Sequence, residues 1–185
     1  MDWLRVRAAT EAVRAGGIIA YPTEAVFGLG CDPLDERAVH RLLALKRRPI
    51  HKGLILIAAS FEQLSCFLQP LTLADQARLA TTWPGPCTWL IPARSTTPRW
   101  LRGQHDTLAV RVTAHPLAAA LCRACGHPLV STSANLSGRP PARSALAVRR
   151  QLGQRIDYLL VGPVGGALKP TEIRELRTER LVRGA

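Results

Sequence analysis

Four cations fall within seven positions of "LKRRPIHKG" (45–53): Lys46, Arg47, Arg48 and Lys52. Charges at this density suit a polyanion, and a nucleoside triphosphate is the polyanion that charge-assisted hydrogen bonds hold best. Cations at the end of a helix are also ordinary partners of its dipole, so a purely local role stands beside phosphate binding. A second candidate is "PLVSTSANLSG" (128–138), which carries Ser131, Thr132, Ser133, Asn135 and Ser137 directly after an apolar strand. Short hydroxyls, an amide and glycine-exposed backbone N–H groups can cradle phosphate or carboxylate. A polar turn chosen for its backbone geometry is the alternative. The third is Arg111 in "TLAVRV" (107–112). Strand alternation puts it on the face opposite Val110 and Val112, and a charge in a core strand needs a partner. That partner is either a ligand carboxylate, which the guanidinium fork fits, or an internal Asp or Glu.

Conventional acid–base machinery is sparse. The five histidines form no metal-binding pair, and no serine stands in a nucleophile elbow. Neither the P-loop nor the dinucleotide-binding glycine pattern occurs. Chemistry that aligns substrates and stabilises phosphate charge needs none of these.

These candidates need strands and helices to hold them. Residues 3–15 read as a helix stopped by Gly16 and Gly17, and 18–21 as a buried strand emptying into a loop, "TEAVFGLG". Asp35 caps a helix through Lys46, and a strand follows at 54–58. Ser60 and Thr72 each cap a helix, the second reaching Thr81. Strands are expected at 87–92, 107–112, 128–132, 157–161 and 180–182, and helices over 115–125 and 144–152. The stretch 92–106 shows no element and reads as a surface excursion. Short apolar strands alternating with helices make an α/β domain with a mostly buried sheet. In such sheets ligands gather at the carboxyl ends of strands, which draws "PTEAVFGLG" and "SANLSGRP" together.

The chain has 185 residues, enough for one domain, and a net charge of +12. Arginine supplies 22 of the 25 basic residues, the lysines being 46, 52 and 169. That surplus points to nucleic acid or phosphorylated ligands, or to an arginine-rich solvated surface. Five scattered cysteines argue against a disulfide framework and fit a reducing cytoplasm. Cys122 and Cys125 form a close pair without two further zinc ligands. No signal-peptide core or membrane-length apolar run is present in the sequence.

Six stretches, in order, resemble the YrdC-like family, in its short bacterial branch of threonylcarbamoyl-AMP synthases. They are "YPTEAVFGLGCDP", "LKRRPIHKGLILIA", "WPGPCTWLIPA", "LAVRV", "STSANLSGRPP" and "LVRGA". The family signature of Lys-x-Arg followed by Ser-x-Asn is met by Lys46, Arg48, Ser133 and Asn135. The resemblance implies a twisted, mostly buried sheet with flanking helices and a basic concave face, over 1–185, with no additional C-terminal domain. It implies synthesis of threonylcarbamoyl-AMP and pyrophosphate from L-threonine, bicarbonate and ATP, with Mg²⁺ accompanying the ATP. The threonylcarbamoyl group then goes to the tRNA adenosine next to the anticodon, through downstream transfer proteins. By position, Lys46, Arg48 and Lys52 would hold the ATP phosphates. Ser133, Asn135 and Arg183 would seat the nucleotide, and Lys46, Arg48, Ser133 and Asn135 would form the catalytic set. Arg111 would take the threonine carboxylate, with Thr23 and Ser131 lining its pocket and Thr171 a further candidate. The sequence departs from the family at Ala25, where many relatives carry threonine. The competing reading, from the charge, is an RNA-binding or ribosome-maturation factor without its own catalysis.

Overall fold

The computed structural model describes residues 3–167 and 171–184. Local signals set most of the helices. After α1 (Trp3–Arg14), α2 (Glu36–Lys46) starts where the Asp35 side chain accepts the Ala38 N–H. It ends where Arg47 turns left-handed at φ 47°. The short helix α3 (Glu62–Ser65) begins at Phe61 without the side-chain cap expected of Ser60. In α4 (Leu73–Ala80), Thr72 and Asp75 form a reciprocal capping box. After α5 (Arg99–Arg102), α6 (Pro116–Cys125) opens with the His115 ring as cap and closes at left-handed Gly126. Ser144 caps α7 (Ala145–Leu152).

Among the described residues, nine strands form one mixed sheet: β1 (Ile19–Pro22), β2 (Phe27–Gly30), β3 (Ile55–Ala58), β4 (Cys87–Pro92), β5 (Thr107–Val112), β6 (Leu129–Ser133), β7 (Tyr158–Leu159), β8 (Glu172–Glu175) and β9 (Leu181–Arg183). Their order across the sheet is β7-β1-β2-β6-β3-β5-β4-β8-β9. β1 and β7, β3 and β5, and β4 and β8 pair in parallel, and the other neighbours are antiparallel.

Two expectations need correction here. "TEAVFGLG" is not wholly a loop, because its second half is β2. Gly28 and Gly30 sit against the Tyr21 ring, and a Cβ on Gly30 would lie 2.9 Å from that ring and collide with the Val130 carbonyl. Glycine here serves close packing between strands. The stretch 92–106 is not a surface excursion either: it contains α5, and Leu101 is fully buried in the core. β8 has no apolar run to announce it, since "EIRE" is only half-buried throughout.

The two faces of the sheet are covered unequally. Leu56, Val110, Val130, Trp89 and Ile91 point into a large core that also receives Leu42 from α2 and Val148 from α7. On the opposite face, Ile57, Leu129, Ile19 and Tyr21 pack against α1 and α6. That helical layer stops short. Ile55, Ala109, Arg111 and Ser131 lie beyond its edge and line a cavity instead.

Candidate active site

The strand order brings distant segments to this cavity. β3 runs antiparallel to β6, so the turn entering β3 lies beside the loop leaving β6. The cavity has a volume of about 480 Å³. Its wall carries Thr23, Ala25, Ser131, Arg111 and Thr171 together with Arg48, Lys52, Arg102 and His105.

Arg111 occupies the middle of the sheet, opposite Ile57 of β3, and is 5% exposed. Its Nη1 donates to the Thr171 hydroxyl at 2.9 Å, and its Nη2 lies 3.2 Å from Glu24 Oε2. Both outcomes left open for Arg111 are therefore relevant: it has an internal acid partner and it also lines the cavity. Glu24 Oε1 accepts the Thr113 hydroxyl at 2.7 Å and the Ala114 N–H at 3.1 Å. The Thr113 hydroxyl oxygen in turn accepts the His115 N–H. Desolvation lowers the pKa of His115, more than its contact with the Pro163 carbonyl raises it. Thr23 and Ser131 are buried at 5% and 7% exposure, and the Thr23 hydroxyl donates to the Val26 carbonyl at 2.7 Å.

Lys46, the last residue of α2, reaches across to the loop after β6. Its Nζ lies 2.7 Å from three oxygens: Ser133 O, Asn135 O and Asn135 Oδ1. The Ser133 hydroxyl donates to the same Oδ1 at 2.6 Å. Half-buried, with the Arg48 guanidinium nearby, Lys46 is pushed down to about 8, and burial is the larger cause. The Lys-x-Arg and Ser-x-Asn segments are thus one knot joining α2 to β6. Arg48 donates through Nε and Nη2 to the Gly53 carbonyl at 3.0 and 2.8 Å.

Lys52 stands on the same turn, which is interlocked with α5 and the residues that follow it. Leu54 N donates to Leu101 O, and Gln104 N donates to His51 O. Gly103, at φ 65°, sits so close to this turn that a Cβ would lie 2.7 Å from Gly53 N. This contact carries Arg102 and His105 to the cavity wall, a contribution that no feature of 92–106 announces. Of the sequence-derived candidates, Thr23, Arg48, Lys52, Arg111, Ser131, Ser133 and Thr171 line the cavity. Lys46 and Asn135 join it through the knot with Ser133. The side chain of Arg183 lies outside the described residues. Glu24 is the principal residue that pattern alone missed. An acid two residues beyond a buried strand was the available signal.

A family model for Sua5, YciO and YrdC, described as telomere recombination, matches residues 11–184. The chain belongs to the Sua5/YciO/YrdC family. A threonylcarbamoyl-AMP synthase from Nitrosococcus oceani is 60% identical over 182 residues, covering 98% of each chain. One from Halorhodospira halophila is 57% identical over 97% of this chain and 94% of the relative. Among solved structures, P. abyssi Sua5 complexed with L-threonine superposes with a TM-score of 0.92 at 34% identity, over 99% of this chain. This chain spans about half, 54%, of that longer protein. E. coli YciO superposes with a TM-score of 0.82 at 30% identity, over 96% of this chain and 87% of that one. No helix among the described residues is long and apolar enough to cross a membrane.

Proposed function

We propose that this family member is an L-threonylcarbamoyladenylate synthase, converting L-threonine, bicarbonate and ATP to threonylcarbamoyl-AMP and pyrophosphate. The observation that carries this reading is a single cavity lined both by hydroxyls around a buried arginine and by further cations, in a chain 60% identical to a threonylcarbamoyl-AMP synthase. The hydroxyls of Thr23, Ser131 and Thr171, with Arg111, suit a small hydroxy amino acid. Arg48 and Lys52 suit a triphosphate, and the knot of Lys46, Ser133 and Asn135 sets the loop against which the nucleotide and its ribose would lie. Arg183 would complete that seat.

The chemistry requires little of the side chains beyond placement. The threonine amine and bicarbonate give a carbamate with loss of water. A carbamate oxygen then attacks the α-phosphorus, the bond to the bridging oxygen breaks, and pyrophosphate leaves with that electron pair. Cations and backbone N–H groups fixed before the reaction stabilise the charge that develops on the phosphoryl oxygens. Mg²⁺ arrives as part of the MgATP substrate, held chiefly by phosphate oxygens and water. The donors around the cavity suit those anionic oxygens. The product's destination would be the tRNA adenosine next to the anticodon, reached through downstream transfer proteins, a route that fits a cytoplasmic enzyme. The net charge of +12 supports RNA in the vicinity.

The reading is tested by following pyrophosphate release with threonine, bicarbonate and ATP all present and with each omitted in turn, in the absence of RNA. Release that requires all three is expected. Release that ignores threonine, or that needs tRNA, would replace this reading with an ATPase or an RNA-dependent activity.

A further inference from the structure

Glu24 is absent from the cavity wall, although its neighbours Thr23 and Ala25 both line it. It lies directly behind Arg111 and is 8% exposed. Several contacts prevent it from swinging away. Its Oε1 is bound to Thr113 and Ala114, the residues that continue the chain from β5. Its own carbonyl accepts the Ala167 N–H, and Gly165 packs so tightly on its backbone that a Cβ there would lie 3.0 Å from the Glu24 Cα. The carboxylate is therefore fixed in the frame of the strand that carries Arg111.

A buried ion pair that served stability alone would be expected to fill its hydrogen-bonding capacity, because unfilled capacity in a low-dielectric interior is costly. This pair does not fill it. Among the described residues, Arg111 Nε and Glu24 Oε2 are both buried without a hydrogen-bond partner. The guanidinium is gripped at Nη1 by Thr171 and at Nη2 by the Glu24 charge, while its Nε–H is left over. Arg111 nevertheless lines the cavity, where a guanidinium fork suits an incoming carboxylate.

We propose that Glu24 is a positioning residue for threonine binding. Its carboxylate neutralises and orients Arg111 from behind the wall, so that the guanidinium stays buried and correctly aimed before the amino acid arrives. This rests on the assignment of Arg111 to the threonine carboxylate. Without Glu24 the arginine would be a buried charge with, among the described residues, a threonine hydroxyl as its remaining side-chain partner, and it would turn toward solvent or toward other oxygens of the wall.

The test compares Glu24→Gln and Arg111→Lys in the full chain, by KM for threonine, KM for ATP, kcat and thermal melting. Glu24→Gln keeps the shape and the Oε1 acceptor but removes the charge. It should raise the threonine KM about tenfold, as expected when one partner of a buried charge pair is lost. The ATP KM should stay within about twofold, a split that general loosening of the fold would not produce. A Glu24→Gln variant that melts earlier but keeps the wild-type threonine KM, while Arg111→Lys raises it, would overturn the positioning role and leave the Arg111 assignment intact. An unchanged threonine KM in Arg111→Lys would overturn that assignment and this inference with it. Should Glu24→Gln fail to fold, Thr113→Val removes one of the two donors that hold Glu24 Oε1 and keeps the charge. A raised threonine KM with an unaltered ATP KM is then expected, and an unaltered threonine KM overturns the proposal.

Discussion

Arg111 and Lys46 are both cations held against oxygen at the edge of one cavity, but they are held in different ways. Arg111 sits inside a strand, locked by register to β3, almost without solvent, against a carboxylate and a hydroxyl. Lys46 sits at a helix end, half-exposed, against two carbonyls and an amide oxygen of a loop. The first arrangement ties charge to the fold, because removing either partner leaves a buried charge behind. The second ties charge to the loop, because water can replace a lost donor.

The largest effect is expected from Arg111→Ala. Leaving Glu24 buried and unpaired should destabilise the protein by about 3–5 kcal/mol, read from chemical denaturation. A loss below about 1 kcal/mol, the range of an exposed pair, would erase the distinction between the two cations.

Lys46→Met should cost less, about 1–3 kcal/mol, since the exposed side of the knot can rehydrate. Its signature should be local: faster hydrogen exchange at the amides of 133–136, with β5 unaffected. The pH dependence sharpens the contrast. Folded Lys46 releases its proton near pH 8, below the roughly 10.4 of a free lysine. Between those values the unfolded chain binds the proton and the folded chain does not, so the stability owed to this group rises with pH across that window. Activity should move the opposite way. The neutral amine has two N–H donors for three oxygens at 2.7 Å, so turnover should decline above pH of about 8. A pH profile flat to 10 would show that the knot holds without the ammonium.

The elements around these two cations were unequally legible in the sequence. α2, α4, α6 and α7 carry caps and apolar periodicity that state their limits, and β4 and β5 are apolar runs bounded by turns. β2 was hidden because Gly28 and Gly30 read as loop residues, although the close approach of Tyr21 requires them. α5 was hidden because four residues give no periodicity, and its position depends on backbone contacts with the turn at 50–53. β8 was hidden by its charged "EIRE" pattern. For the site, the cation cluster and the hydroxyl run were visible as types, and Arg111 was visible as a charge out of place. Its partner was not, because Glu24 is 87 positions away and only the sheet order joins them.

The smallest effect should come from Ala25→Thr. Ala25 lines the cavity beside Thr23 and is 3% exposed. Adding a hydroxyl there should lower the threonine KM by about threefold, the worth of one added hydrogen bond. A rise instead would mean that the surrounding wall has closed around alanine.

The central claim is that one cavity holds threonine at its Arg111 side and triphosphate at its Arg48 and Lys52 side. The most direct test is the KM for each substrate in Arg48→Ala. The ATP KM should rise at least about tenfold, as charge-assisted phosphate contacts are lost. The threonine KM should stay within about twofold. If both constants rise together, or if only the threonine constant moves, the cavity is not divided in this way.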